Sequence, residues 1–238
     1  SMELINTMAT HDGIYYTDLN EVKIFIDKYN EAIKHSTCMA CFGKLYVETQ
    51  NFYVERFRLR TLHFKCLEPF YVMLEGTSPW TLELEGKKVL VVSPFADSFR
   101  KQIDAKFSMF KNRRMFAEGQ EFVFYRSFNS LAGNRPHGSW LETFEIMCQD
   151  IRKLDFDVAL LGCGGYGLPL CNFIYKDLNK SAVYVGGCLQ LMFGVMGKRW
   201  ESSPIYRKII KDNDTCFIRP SGEEKTSNRG TIEGGCYW

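Results

Sequence analysis

From Gly86 onward, short apolar runs alternate with longer stretches whose apolar positions recur every three or four residues. Lys88-Val-Leu-Val-Val-Ser93 is a continuous apolar run, the signature of a strand buried on both faces. A charged amphipathic helix is predicted over residues 97–116, a second strand over Glu121-Phe-Val-Phe-Tyr-Arg126, and a polar loop from Asn129 to Gly138. Ser139 with Glu142 three residues on reads as a capping box opening the next helix. Asp157-Val-Ala-Leu-Leu161 is a third buried strand, residues 166–178 a helix, Ser181-Ala-Val-Tyr-Val185 a fourth strand, and another helix begins near Leu189. Strands alternating with helices of this length predict an α/β fold with a parallel sheet covered on both faces.

The first 85 residues read differently. Leu19, Val22, Ile24, Phe25, Ile26 and Tyr29 fall at helical spacing behind a cap at Asp18 or Asn20. An aromatic-rich stretch from Phe42 to Tyr71 follows without an assignable period, and Thr77-Ser-Pro79-Trp80 marks a break. The chain is therefore read as one unit, with a helical, aromatic-rich portion at 1–85 and an α/β core at 86–238.

Composition narrows the function classes. A formal charge of +2 across 238 residues gives no electrostatic footprint for nucleic acid. The short basic run Lys111-Asn-Arg113-Arg114 reads as a solvated helix face. No apolar segment is long enough to span a bilayer and no secretory leader is evident, so a cytoplasmic setting is expected. Nine scattered cysteines fit reduced core residues, and Cys38-x-x-Cys41 lacks the second pair that a zinc site needs.

Chemistry is expected where ligands bind in open parallel sheets, beyond the carboxyl ends of the strands. Those ends read Ser93-Pro94-Phe95, Gly162-Cys-Gly164-Gly165-Tyr166-Gly167, and Gly186-Gly187-Cys188-Leu189-Gln190. The second matches G-x-G-x-x-G between a strand and a helix, where glycines let the backbone approach a phosphate near a helix N-terminus. A dinucleotide enzyme would carry an acid at the end of the next strand to hold ribose hydroxyls; here that strand ends in Gly186-Gly187. An NAD- or S-adenosylmethionine-dependent enzyme is thus the weaker alternative. Around Asn134 to Glu142, Trp140 offers a face for sugar or base stacking, while His137 and Glu142 are candidate proton acceptors, with a surface loop and a helix cap as their ordinary readings. Glu48 is a further candidate base. Arg199 and Arg219 are cations able to offset a leaving diphosphate.

Gly162-Cys-Gly-Gly-Tyr-Gly-Leu-Pro-Leu170 followed by Val-Tyr-Val-Gly186-Gly187 resembles the paired turns of GT-D glycosyltransferases. The stretch from Val89 to Trp238 is similar to a family encoded in polysaccharide-synthesis clusters, through Ser93-Pro-Phe95, Ser139-Trp140, Gly187 to Gln190, Gly197-Lys-Arg-Trp200, Arg219-Pro220 and Glu233-Gly-Gly-Cys-Tyr-Trp238. Within it, the chain looks like rhamnosyltransferase domains of the multidomain enzymes that build chlorovirus capsid glycans. The resemblance implies a three-layer αβα, Rossmann-like fold and inverting transfer of L-rhamnose from UDP-L-rhamnose to a glycan acceptor, with covalent neighbours in a longer chain. It also implies that Ser93, Phe95, Gly162, Gly164, Gly165, Tyr166, Gly167, Gly187, Gln190 and Arg199 bind the donor, and that Trp140, Tyr237 and Trp238 meet the acceptor. Glu48 or Glu142, then His137, would be the base. The family's D-x-E motif has Tyr46 in place of its first acid, so no metal ligand pair is evident and no cofactor beyond the UDP-sugar is expected; a non-catalytic nucleotide-sugar-binding domain is the remaining alternative.

Overall fold

The structure is a computed structural model that describes residues 7–43, 47–232 and 234–238. It is a mixed α/β protein with two parallel sheets. The N-terminal portion starts with a short π-helical turn, Met8–Asp12, and α1 (Leu19–Lys34). Asp18 caps α1 by accepting from the N–H groups of Asn20 and Glu21 at 2.7 and 3.1 Å. The aromatic-rich stretch resolves into β1 (Cys38–Cys41), α2 (Val47–Phe57), β2 (Arg60–His63), α3 (Phe64–Leu67) and α4 (Pro69–Leu74). β1 and β2 pair in parallel, with Cys38 opposite Arg60 and Cys41 opposite His63.

The main sheet contains β3 (Lys88–Ser93), β4 (Glu121–Arg126), β5 (Val158–Leu161) and β6 (Ser181–Tyr184), all parallel, in the order β4-β3-β5-β6. They are linked by α5 (Ala96–Asp104), α6 (Trp140–Arg152) and α7 (Gly167–Leu178). The C-terminal part adds α8 (Cys188–Met192), α9 (Lys198–Glu201) and α10 (Pro204–Asn213). Alternation along the strands divides the core. Val89, Val91, Val158 and Leu160 pack with Phe99 of α5, Phe193 and Ile209. Leu90, Val92, Ala159 and Leu161 pack with Phe144 and Met147 of α6, Leu170 of α7 and Phe25 of α1. The continuous apolar reading of β3 and β5 thus has its cause: both faces are covered.

Two expectations change. The helix expected over 97–116 ends at Asp104, because Lys106 turns the chain with φ of 56° and sends Met109, Phe110 and Met115 back into the core. The basic run at 111–114 is accordingly not a helix face. There, Arg113 donates to the main-chain oxygen of Met73 and Arg114 pairs with Glu118. Among the described residues no helix is long and apolar enough to cross a membrane.

Candidate functional site

The chain leaves β3 towards β4 on one side and returns to place β5 on the other. The carboxyl ends of β3 and β5 therefore flank the point where strand order reverses, where parallel sheets open a crevice. Ser93 and Gly162 stand at those two ends. The crevice has a volume of about 80 Å³ and is walled by Ser93, Phe95, Gly162, Gly164, Tyr184, Gly186, Gly187, Gln190 and Tyr237. Six of the predicted donor-binding residues and Tyr237 are thus brought together.

Glycine is required here for two separate reasons. Gly164 and Gly186 have φ of 59° and 72°, a left-handed conformation that penalises other residues, and nothing lies within 4 Å of where a Cβ would stand on either. Gly162 is required by crowding: a Cβ there would sit 2.6 Å from the carbonyl oxygen of Gly186 and 3.0 Å from the side chain of Leu189. The two turns are packed directly on one another. Gly167 meets the same condition against the Tyr184 ring, so it serves helix–strand packing rather than ligand contact. The Tyr184 hydroxyl donates to the carbonyl oxygen of Gly164 at 3.2 Å.

Gln190 is 2% exposed, and its Nε2 donates to the main-chain oxygen of Tyr237 at 2.7 Å. Its Oε1 is buried without a hydrogen-bond partner among the described residues. A buried amide oxygen left in that state is costly, and a ligand N–H or O–H entering the crevice would satisfy it. Ser93 is also buried, its hydroxyl accepting from the N–H of Phe95 at 3.2 Å.

Next to the crevice, and sharing Gly164, Tyr184 and Tyr237 with it, lies a chamber of about 500 Å³. Its other walls include His11, Asp12, Tyr29, Asn30 and Tyr53 from the N-terminal portion, and Gly165. Tyr53 donates to Oδ1 of Asn30 at 3.1 Å. The main-chain oxygen of Asp12 lies close enough to Gly165 that a Cβ there would stand 3.0 Å away. The Asp12 residue is exposed at the edge of the chamber, and partial desolvation there raises its carboxyl above the usual carboxylate range, with His11 pulling the other way. Asp12 did not stand out in the sequence, since no spacing ties it to the glycine turns.

The remaining candidates are placed elsewhere. Trp140 is 2% exposed, stacked between Phe144 and Tyr166 at 5.3 Å from each, with Phe25 against its edge at 5.0 Å. It is a core residue and cannot present a face to an acceptor. Tyr166 is buried in the same stack and cannot cover a uracil. Trp238 is buried too, its Nε1 donating to the main-chain oxygen of Glu224. His137 is taken up by structure: its Nδ1 is 3.0 Å from Oγ1 of Thr143, which is 2.7 Å from the Tyr15 hydroxyl. The Ser139 hydroxyl caps α6 by accepting from the N–H of Glu142, and the Glu142 carboxylate reaches one residue further back than a capping box, accepting from the N–H of Gly138 at 2.8 Å. Glu48 is exposed in the first turn of α2 and lines neither the crevice nor the chamber; Tyr46 lies outside the described residues. Arg199 sits over the Tyr237 ring at 4.7 Å, behind the crevice wall, and Arg219 pairs with Glu201. Among the described residues no group of three or more His, Cys, Asp and Glu side chains could hold a metal ion.

No protein-family model, curated protein or solved structure matches this chain.

Proposed function

We propose that the protein is a nucleotide-sugar-dependent glycosyltransferase of the GT-D-like, three-layer αβα Rossmann-like type. The observation that carries the reading is the junction of the two cavities. A narrow glycine-walled crevice at the strand-order reversal adjoins, across Gly164, Tyr184 and Tyr237, a larger chamber lined by a carboxylate with a raised pKa. The crevice suits one phosphate group of a nucleoside diphosphate, with the exposed backbone of Gly164 and Gly187 beside its oxygens and Gln190 Oε1 able to accept from a ligand N–H or O–H. The chamber suits the sugar and the acceptor hydroxyl.

In this reading Asp12 replaces Glu48, Glu142 and His137 as the base. It takes the proton of the acceptor hydroxyl as that oxygen bonds to the anomeric carbon. The bond from that carbon to the diphosphate breaks on the opposite face, and the nucleoside diphosphate leaves with the electron pair. The product is inverted at the anomeric centre. Arg199 lies over the Tyr237 ring and in this reading supports that wall of the crevice. The resemblance noted from the sequence makes UDP-L-rhamnose the donor to try first and a polysaccharide-type glycan the acceptor, in a cytoplasmic setting.

Calorimetric titration with UDP, UDP-L-rhamnose, UDP-glucose, NAD⁺ and S-adenosylmethionine, with and without Mn²⁺, tests the reading. Micromolar binding of UDP and its rhamnose conjugate is expected. Binding of NAD⁺ or S-adenosylmethionine with no response to UDP would replace it with a dinucleotide or methyl-transfer function. Binding without turnover on any glycan would leave a nucleotide-sugar-binding domain.

A further inference from the structure

The C-terminal loops form an open basin of about 520 Å³, lined by Lys198, Arg219, Lys225, Arg229 and the glycines 230, 234 and 235, with Trp238 at one side. Arg219 is already engaged, donating to a carboxylate oxygen of Glu201 and to the main-chain oxygen of Trp238. The other cations are not neutralised in this way. Nζ of Lys198 reaches the main-chain oxygen of Gly234 at 3.4 Å, and Arg229 reaches that of Thr226 at 3.4 Å, both long contacts. Among the described residues no carboxylate forms an ion pair with Lys198, Lys225 or Arg229, and no acidic residue lines the cavity.

This is a local departure from the chain as a whole, in which 30 Lys and Arg are nearly matched by 28 Asp and Glu. Cations facing one concave surface repel each other, and a multiply charged anion entering the cavity turns that repulsion into attraction. The donor set also has the right shapes. A guanidinium presents a planar fork to two oxygens of one group, and ammonium groups reach the remaining oxygens from other directions. Gly234, with φ of 66°, leaves exposed backbone at the cavity wall.

We propose that this basic basin binds a phosphate group of a ligand. The basin and the glycine-walled crevice share no lining residue, but Tyr237 walls one and Trp238 the other. The phosphate therefore belongs either to a second ligand or to the far end of a molecule that also enters the crevice.

The test is titration with inorganic pyrophosphate alone, using Lys225→Gln, Arg229→Gln and the double variant. Lys225 and Arg229 are exposed, so the variants fold as the parent does, which circular dichroism would verify. Each single change is expected to weaken pyrophosphate about three- to fivefold and the double change more, with an affinity that falls as salt is raised. Repeating the titration with saturating UDP separates the sources. Unchanged pyrophosphate affinity means that the phosphate comes from a second ligand; competition that the double variant abolishes means that UDP supplies it. Pyrophosphate binding that is undetectable at millimolar concentration, or equal in parent and double variant, overturns the proposal.

Discussion

The main-chain oxygen of Asp12 and the α-carbon of Gly165 are packed so closely that a methyl group on the glycine would stand 3.0 Å from that oxygen. A residue near the start of the chain is thereby fixed against a turn in its second half. Backbone contact thus sets the segment that carries Asp12 against the turn that follows β5.

If Asp12 is the base, Asp12→Asn should lower kcat by at least about a hundredfold while leaving the Kd for UDP within a few-fold. Steady-state kinetics beside calorimetry would show this split. Because the Asp12 pKa is raised, the parent's rate should fall on acidification at a higher pH than an ordinary aspartate would give. Full turnover in the variant would remove Asp12 from the chemistry.

Gly162→Ala would place a methyl 2.6 Å from the oxygen of Gly186. The two turns must then separate, at a cost of about 1–3 kcal/mol in stability. Chemical denaturation should register the loss, and UDP affinity should drop with it. A variant that keeps both would mean that the turns are not coupled as described.

Trp140→Ala removes the centre of an aromatic stack and should cost about 3–5 kcal/mol, read from the denaturation midpoint. Trp140→Phe keeps part of the stack and should retain acceptor KM, since the indole itself lines neither the crevice nor the chamber. A raised KM with unchanged stability would return Trp140 to the acceptor site.

The Glu68 carboxyl is pushed up to about 7 by burial beside Tyr71, Tyr206 and Cys188. Below the ordinary glutamate range both folded and unfolded chains hold the proton, and this group costs nothing. As pH rises towards 7 the unfolded chain ionises first, so stability is lost across that window; above it the penalty is constant. Its size is on the order of 2–3 kcal/mol. Glu68→Gln should flatten the dependence of Tm on pH between about 4.5 and 7 and stabilise the protein at neutral pH. A parent whose Tm rises over that interval would contradict this.

Much of the core was legible because its signals are local. Lys88–Ser93 and Glu121–Arg126 are strands with the predicted bounds, and the glycine pairs sit at strand ends on one edge of the sheet. The site was legible only where backbone makes it. Side-chain roles failed where a local pattern had two meanings. Trp140, Phe144, Met147 and Ile151 follow helical spacing, which already marks Trp140 as facing the core, but its aromatic face suggested a ligand instead. Ser139 and Glu142 spell a capping box; Ser139 is the cap, and the Glu142 carboxylate is taken up by the N–H of Gly138 just before it. Asp12 carries no local signal, because its surroundings come from α1, from Tyr53 and from the turn after β5, segments far apart in the chain.

Tyr237 and Asp12 wall the same chamber from opposite ends of the sequence. Closing so long a loop is slow and comes after the neighbouring strands have paired. During refolding, helical and sheet signals should therefore recover before the protein regains any hold on a nucleotide. A half-folded chain would show secondary structure but no binding, which makes ligand affinity the strictest report on whether a preparation of this protein has reached its native state.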